Sequence, residues 1–167
     1  GVTIAQSMPT LNNPWYVLFA NGSKDMADRL GIEITQVTNP QTDEWSPEAQ
    51  ISKIENLIAL QPSVIEIDPT STDGINSAID EARKMGIPVI MSGTKVSTTV
   101  EASITGDNLQ GGQLCGEYMG QLLGSEGGDI AILDGTPGRD VIQNRQDGFK
   151  QALEDYPNIN IVAEQVA

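Results

Sequence analysis

The sequence predicts an α/β fold with three layers, α/β/α, built on a parallel, doubly wound sheet that is Rossmann-like with flavodoxin-like strand order. Short runs rich in β-branched residues alternate with longer amphipathic patterns along all 167 residues, which is typical of parallel strands joined by crossover helices. The short runs are almost continuously apolar, as expected for strands covered by helices on both faces. The length and the 38% hydrophobic content suit one domain, so we expect residues 1–167 to fold as a single unit.

The predicted elements follow one another without a low-complexity linker. Strands are predicted at VTIAQS (2–7), IEITQV (32–37), SVIEID (63–68), PVIMS (88–92), ASIT (102–105), DIAILD (129–134) and INIVAE (159–164). Helices are predicted over 14–30, 47–60, 73–85, 108–123 and 140–155. Turns are predicted where glycine and proline cluster, at Asn39-Pro40, Gly86-Ile-Pro88 and Gly135-Thr-Pro-Gly138.

Local chemistry supports the second helix. Ser46 is a suitable N-cap, Pro47 fits the first helical position, and Glu48 places a negative charge in the first turn. Apolar residues then recur at helical spacing and predict one buried face, formed by Ile51, Ile54, Leu57 and Ile58.

The fourth helix carries two glycines one turn apart. Asp107 is its predicted cap, and Gly112 and Gly116 would let the helix approach the sheet closely. Cys115, the single cysteine, falls on the apolar side of the same helix. It has no partner for an internal disulfide, so we expect a buried structural thiol.

Charge and residue types exclude several classes of function. Nine Lys and Arg against 23 Asp and Glu give a net charge of −14, which repels nucleic acid and anionic membrane surfaces. The chain has no histidine, the commonest general base and metal ligand. A GxGxxG or Walker motif and an apolar run long enough to span a membrane are also missing. We therefore predict a protein that is not an enzyme and has no metal, no cofactor and no membrane span.

The segments that follow the strands are where a parallel sheet binds its ligand. After the first strand the sequence reads TLNNPWY, which brings Asn13, Trp15 and Tyr16 to one turn. Aromatic faces can stack on the C–H surface of a sugar, and an amide suits a pair of hydroxyl groups. The residues alone leave an alternative open, in which Trp15 fastens the start of the helix to the core.

One enzymatic alternative uses the same edge of the sheet. Asp68 ends the third strand before Pro69, as the phosphate acceptor of a receiver domain would. The acidic pair that a receiver carries after its first strand is missing, because that loop reads SMPTLNN. A receiver or flavodoxin-like enzyme is therefore a weaker interpretation, which phosphorylation of Asp68 by a small phosphodonor would revive.

Taken together, these segments resemble the first lobe of type I periplasmic binding proteins, the family of the ribose-, galactose- and xylose-binding proteins and of the LacI-type effector domains. The resemblance runs from end to end. It rests on TLNNPWY, on Gln50 and the Ile54–Ile58 run before SVIEIDPTSTDG, and on GIPVIMSGT. It rests further on Gly106-Asp-Asn108 with Gly111-Gly112, and on Gly135-Thr-Pro-Gly138 followed by Arg145-Gln-Asp-Gly-Phe149.

The resemblance implies capture of a small neutral sugar or polyol. Thr10, Asn13, Trp15 and Tyr16 match the loop that presents an amide and paired aromatics to the sugar. Ribose binders carry an Asp-Arg pair where this chain has Gly93-Thr94, and a ligand-facing Arg where it has Gln143. Neutral hydrogen bonds then replace charged ones, which favours a sugar other than ribose, with Ser92, Thr94 and Gln143 as polar contacts.

The resemblance also implies partners and a location. An ABC transporter permease or a chemoreceptor would receive the full-length protein, in the periplasm or outside the cell, with any export signal removed and a lipid anchor as one option. We expect residues 1–167 to form the N-terminal lobe, ending near the first hinge crossing, with the C-terminal lobe absent. Exposed hinge and edge surfaces would then favour a homodimer or a domain swap.

Two alternatives remain open at this point. The first is the effector domain of a LacI-type regulator, although a basic helix-turn-helix before the first strand is missing. The second is a truncated or engineered lobe with no binding of its own, because one lobe cannot enclose a ligand.

Overall fold

The structure is a computed structural model that describes residues 1–38 and 45–166. Its contacts divide the chain into two compact units, Gly1–Thr105 and the part from Gly106 onwards. The predicted turn at Asn39-Pro40 lies outside the described residues.

The first unit is a parallel five-stranded sheet with helices on both faces. Its elements are β1 (Thr3–Met8), α1 (Pro14–Leu30), β2 (Glu33–Thr38), α2 (Pro47–Ala59), β3 (Val64–Ile67), α3 (Asn76–Lys84), β4 (Val89–Ser92) and β5 (Ala102–Ile104). The strand order β2-β1-β3-β4-β5, with every pair parallel, is the flavodoxin-like order and confirms that prediction.

The predicted start of α2 is confirmed, whereas α3 begins later than predicted. Ser46 Oγ accepts a hydrogen bond from the Ala49 amide at 3.2 Å, so the expected cap of α2 is confirmed. α3 begins at Asn76, three residues after the predicted start at 73. The intervening residues form a turn instead, in which Ser71 Oγ accepts from the Gly74 amide at 3.0 Å.

The main apolar core lies on the face of the sheet that α2 and α3 cover. The predicted face of α2 is confirmed, because Ile54, Leu57 and Ile58 are buried in it and Ile51 packs against it. The opposite face carries a smaller cluster in which Met8 of β1 meets α1. Its buried members are Met8, Tyr16 and Ala20, with Phe19 and Trp45 packed against them.

The second unit contains two helices and a separate two-stranded parallel sheet. Its elements are α4 (Asn108–Leu123), a short 3₁₀ turn (Gly124–Glu126), β6 (Gly128–Asp134), α5 (Asp140–Leu153) and β7 (Ile159–Val166). β6 pairs with β7. Hydrogen bonds join these two strands to each other in a two-stranded sheet.

Glycines bring α4 and α5 into direct backbone contact. A Cβ built on Gly112 would lie 2.1 Å from the Arg145 carbonyl oxygen, and one on Gly116 would lie 2.6 Å from the Phe149 carbonyl oxygen. A Cβ on Gly148 of α5 would lie 2.1 Å from the Leu109 carbonyl oxygen. Close approach was the right prediction for Gly112 and Gly116, but the approached element is α5 and not the sheet.

Packing through glycine also explains why the predicted burial of Cys115 is wrong. The buried residues of α4 are Gly112, Gly116 and Gly120, so small residues and not the large apolar ones form its inner face. Cys115 lies beside that face and is exposed. The expectation of a buried thiol is wrong, because the apolar side chains of this helix do not mark its packed side. Among the described residues, no helix is both long and apolar enough to cross a membrane.

Candidate functional site

The strands of the first unit all point the same way, so the segments after them meet at one edge of the sheet, which we call the rim. The rim is formed by residues 9–13 after β1, 68–70 after β3 and 93–94 after β4. Six of the eight predicted ligand contacts belong to the rim or to its continuation into α1, and a seventh, Ser92, is the last residue of β4 and borders the rim.

Asn13 is the N-cap of α1 and is exposed at the rim. Its Oδ1 accepts a hydrogen bond from the Trp15 amide at 2.9 Å, and Pro14 follows as the first helical residue. This bond uses the amide oxygen of Asn13, whose side-chain NH₂ group carries two further donors. The cap therefore fixes the direction in which Trp15 leaves the loop.

The structure separates the two aromatic residues that the sequence analysis takes as a pair. Trp15 is 52% exposed, whereas Tyr16 is only 4% exposed and belongs to the cluster around Met8. Successive helix positions point about 100° apart, so one ring faces the core when the other faces solvent. Of these two rings, that of Trp15 is the one exposed to solvent at the rim, and the Tyr16 ring centroid lies 4.8 Å from it.

The hydroxyl residues of the predicted set are buried. Thr10 is 3% exposed, Ser92 7% and Thr94 0%. Thr10 Oγ1 accepts from the Asn12 amide at 2.9 Å and so shapes the loop before α1. Ser92 Oγ donates to a carboxylate oxygen of Glu66 at 2.5 Å. These side chains are held in the rim by the protein's own hydrogen bonds.

Gly93 allows the chain after β4 to pass close to a carboxylate. Its φ is 72°, in the left-handed region that favours glycine. A Cβ at this position would lie 3.0 Å from both carboxylate oxygens of Asp68, which is itself buried. The residue that the receiver-like alternative treats as a phosphate acceptor is thus 1% exposed and packed under the chain at Gly93.

The side chain of Gln50 makes hydrogen bonds to the rim segment that follows β3. It was not predicted as a site residue. It is fully buried on α2, and its Nε2 donates to the Asp68 carbonyl oxygen at 2.8 Å. Its Oε1 accepts from the Thr70 amide at 2.8 Å and from Thr70 Oγ1 at 2.9 Å. One amide side chain therefore fixes the loop after β3. Its polarity among the apolar residues of α2 was the available sequence signal.

Glu66 is a second residue that the sequence reasoning passed over. It lies in the middle of β3, and burial raises the pKa of its carboxyl group to about 7, against the hydrogen bonds from Ser92 and Gln6 that lower it. The available sequence signal was an acidic residue in the middle of the apolar run SVIEID.

The eighth predicted contact lies in the second unit. Gln143 is exposed on α5, where its Nε2 donates to Asp147 Oδ1 at 2.8 Å. The same unit has an open groove of about 650 Å³ whose lining excludes Gln143. α4, β6 and α5 line it, with Asp107, Cys115, Asp134, Arg145 and Phe149 among the lining residues. The described residues contain no cluster of three or more side chains suited to a metal ion.

The first unit combines a parallel sheet of flavodoxin-like order with a rim that carries the amide of Asn13 and the indole of Trp15. These are features of an α/β ligand-binding domain. Residues 4–167 match the family described as periplasmic binding protein domain, and the chain belongs to this family.

The relatives are sugar-binding proteins. The chain is 31% identical over 166 residues to the ribose import binding protein of Haemophilus influenzae and 30% identical over 166 residues to that of Escherichia coli K12. The alignments cover 99% of this chain and 55% and 54% of those proteins. The chain therefore spans about half the length of the curated relatives it matches. They are named as binding and import proteins, not as enzymes.

Solved structures that resemble this chain are also solute binding proteins. An ABC transporter periplasmic solute binding protein from Actinobacillus succinogenes with bound D-allose has a TM-score of 0.90 at 29% identity, covering 100% of this chain and 60% of that one. A carbohydrate transporter solute binding protein from Agrobacterium radiobacter in complex with D-arabinose has a TM-score of 0.91 at 26% identity, covering 99% and 57%. The predicted fold class and family are confirmed.

Proposed function

We propose that this chain contributes part of the binding site for a small neutral sugar or polyol in a solute-binding protein of an ABC transporter, and that it makes and breaks no covalent bond. The single observation that carries the proposal is the half-exposed indole of Trp15 at the rim. Relatives named for ribose import and neighbours with bound D-allose and D-arabinose support the choice of ligand class.

Stacking is the main interaction in this proposal. The axial C–H groups of a sugar ring form an apolar face, which packs on the flat surface of an indole. Trp15 rests on Phe19 and Tyr16, with ring centroids 5.3 and 4.8 Å away. Its orientation is thus set before a ligand arrives, which reduces the entropy lost on binding.

Neutral polar groups supply the hydrogen bonds in this proposal. The NH₂ group of Asn13 donates to sugar hydroxyls, while Thr10, Ser92 and Thr94 line the rim beneath the ligand. Gly93 leaves the backbone accessible because it has no side chain. Gln143, on the second unit, contributes a further amide. Since none of these groups carries a formal charge, we expect selectivity for uncharged ligands.

The wider function follows the same proposal. We infer delivery of the ligand to an ABC permease or a chemoreceptor, in the periplasm or outside the cell, with a lipid anchor as one means of retention. Residues 1–167 would act as the N-terminal part of a two-lobe protein whose lobes close on the ligand. β5 supports homodimer formation or a domain swap, because all three of its residues are exposed, with Ile104 at 69%.

Calorimetric titration of the 167-residue chain with a panel of neutral sugars and polyols tests the proposal. We expect weak binding, because an open rim buries far less of a ligand than a closed cleft. Trp15→Ala should abolish the heat of binding, whereas Leu18→Ala, which removes a 72% exposed side chain from the same helix, should leave it unchanged. Equal loss in both variants, or none in Trp15→Ala, argues against the proposal.

A further inference from the structure

A largely buried carboxyl group lies on the face of the five-stranded sheet that is turned towards α1. Glu66 is in register with Gln6 on the neighbouring strand β1, so both side chains leave the sheet on the same side. Gln6 Nε2 donates to Ser23 Oγ of α1 at 3.1 Å, and Gln6 Oε1 accepts from Gln36 Nε2 at 2.8 Å. Glu66 therefore belongs to a polar layer between the sheet and α1.

The two oxygens of this carboxyl group differ in their hydrogen bonding. Ser92 Oγ donates to Glu66 Oε1 at 2.5 Å. Oε2 is buried and has no hydrogen-bond partner among the described residues. A charged oxygen left in that position is costly, whereas the carbonyl oxygen of a neutral acid tolerates it much better. The geometry therefore favours uptake of a proton.

Burial and the nearest negative charge favour the same state of Glu66. The negative charge of Asp68, just after β3, repels an ionised Glu66, whereas the hydrogen bonds from Ser92 on β4 and Gln6 on β1 favour the ionised form and only partly offset burial. Burial is the largest cause of the raised pKa, which at about 7 lies in the range where cells operate. Both protonation states of this group are then populated near neutral pH.

We propose that Glu66 is a positioning residue for Ser92, and that its protonation decides whether Ser92 presents an acceptor or a donor to a bound sugar. When Glu66 is ionised, the single hydrogen of the Ser92 hydroxyl is committed to Oε1, so Oγ can only accept. One proton taken from water onto Oε1 reverses the bond. The acid O–H then donates to Ser92 Oγ, and the serine hydrogen becomes available to the ligand. This inference rests on the proposed function, in which Ser92 contacts the sugar.

The first test needs no sugar. The ionisation of Glu66 is followed by ¹³C NMR of its carboxyl carbon in the 167-residue chain. We expect a midpoint near neutral pH in the wild type and a higher midpoint in Ser92→Ala, because the carboxylate loses its donor. Ser103→Ala removes an exposed hydroxyl from the adjacent strand β5 and should leave the midpoint in place. An unchanged midpoint in Ser92→Ala overturns the positioning role.

The second test measures sugar affinity at about pH 5.5 and about pH 8.5, on either side of the ionisation. We expect the wild-type affinity to change by about 2- to 10-fold, the effect of exchanging one hydrogen bond. Glu66→Gln, which keeps the shape, and Glu66→Leu, which removes the polar group, should both show no such change. A wild-type affinity that is independent of pH overturns the donor–acceptor switch.

Failure of the proposed function gives a different pattern. If no sugar binds the wild-type chain at either pH, the proposed function and the switch both fail, while the carboxyl titration still decides whether Glu66 and Ser92 are coupled. If Trp15→Ala abolishes binding at both pH values but the wild-type affinity is flat, the sugar site stands and the switch alone is wrong.

Discussion

The Trp15 indole lies parallel to the Phe19 ring, with centroids 5.3 Å apart and an angle of 7° between the ring planes. The two residues are one helical turn apart on α1, a spacing that places side chains side by side. The stack covers one face of the indole with protein and leaves the residue half exposed. Phe19 is therefore the natural support of the proposed sugar platform.

Phe19→Ala should weaken sugar binding by about 2- to 10-fold, because a stacked aromatic pair contributes about 0.5–1.5 kcal/mol beyond burial. Removing the support lets the indole rotate, and fixing it again on binding costs entropy. Calorimetry at a matched temperature measures the effect. Affinity equal to that of the wild type would show that Phe19 does not orient Trp15.

Adjacent substitutions on α1 should differ sharply in stability. Tyr16→Ala empties a site that is 4% exposed and should lower the free energy of unfolding by about 3–5 kcal/mol. Trp15→Ala removes a side chain that is 52% exposed and should cost about 1 kcal/mol or less. Urea denaturation followed by circular dichroism gives both values. Similar losses in the two variants would contradict the separation of core and rim roles.

Two neighbouring glycines on α4 offer a matched test of helix packing. A Cβ on Gly112 would lie 2.1 Å from the Arg145 carbonyl oxygen, whereas one on Gly111 would meet nothing within 4 Å. Gly112→Ala should therefore destabilise the chain by more than about 2 kcal/mol. Gly111→Ala should stabilise it by about 0.5–1 kcal/mol, because alanine favours helix. Thermal unfolding of the two variants gives the sign of each change.

The buried carboxyl group should make stability depend on pH. Glu66 has a pKa raised from 4.5 to about 7 in the folded chain, so the folded state holds a proton that the unfolded state has released. Stability from this group is present below about pH 4.5 and is lost as pH rises to about 7, in total about 3 kcal/mol. The difference in unfolding free energy between wild type and Glu66→Gln, measured by urea at several pH values, isolates the effect. A difference that is flat with pH would refute it.

Most of the fold could be predicted from the hydrophobic periodicity and the helix caps in the sequence. The strand runs of the first unit were predicted correctly because each is short and rich in apolar residues, and the helices after β1 and β2 begin at clear caps, Asn13 and Ser46. Pairing was harder to predict. β6 and β7 pair with each other. An apolar run in the sequence predicts a strand, but it does not indicate which other strand it will hydrogen-bond to.

The candidate site was predictable in its location but not in its detail. Strand ends are visible in the sequence, so the rim residues could be named. Burial depends on tertiary packing. The local sequence TLNNPWY therefore does not predict that Tyr16 faces the core while Trp15 faces solvent. Gln50 and Glu66 were missed as site residues because a polar residue within an apolar helix or strand acquires its role only from the partners that folding brings to it.

Mapping the bound sugar on the chain by ¹H–¹⁵N NMR decides whether the rim is the sugar site. We expect a neutral sugar to shift the Trp15 indole N–H and the amides of residues 10–16 and 92–94, and Trp15→Ala to remove these shifts. Shifts confined to the groove lined by α4, β6 and α5, or none at high sugar concentration, would contradict a sugar site at the rim.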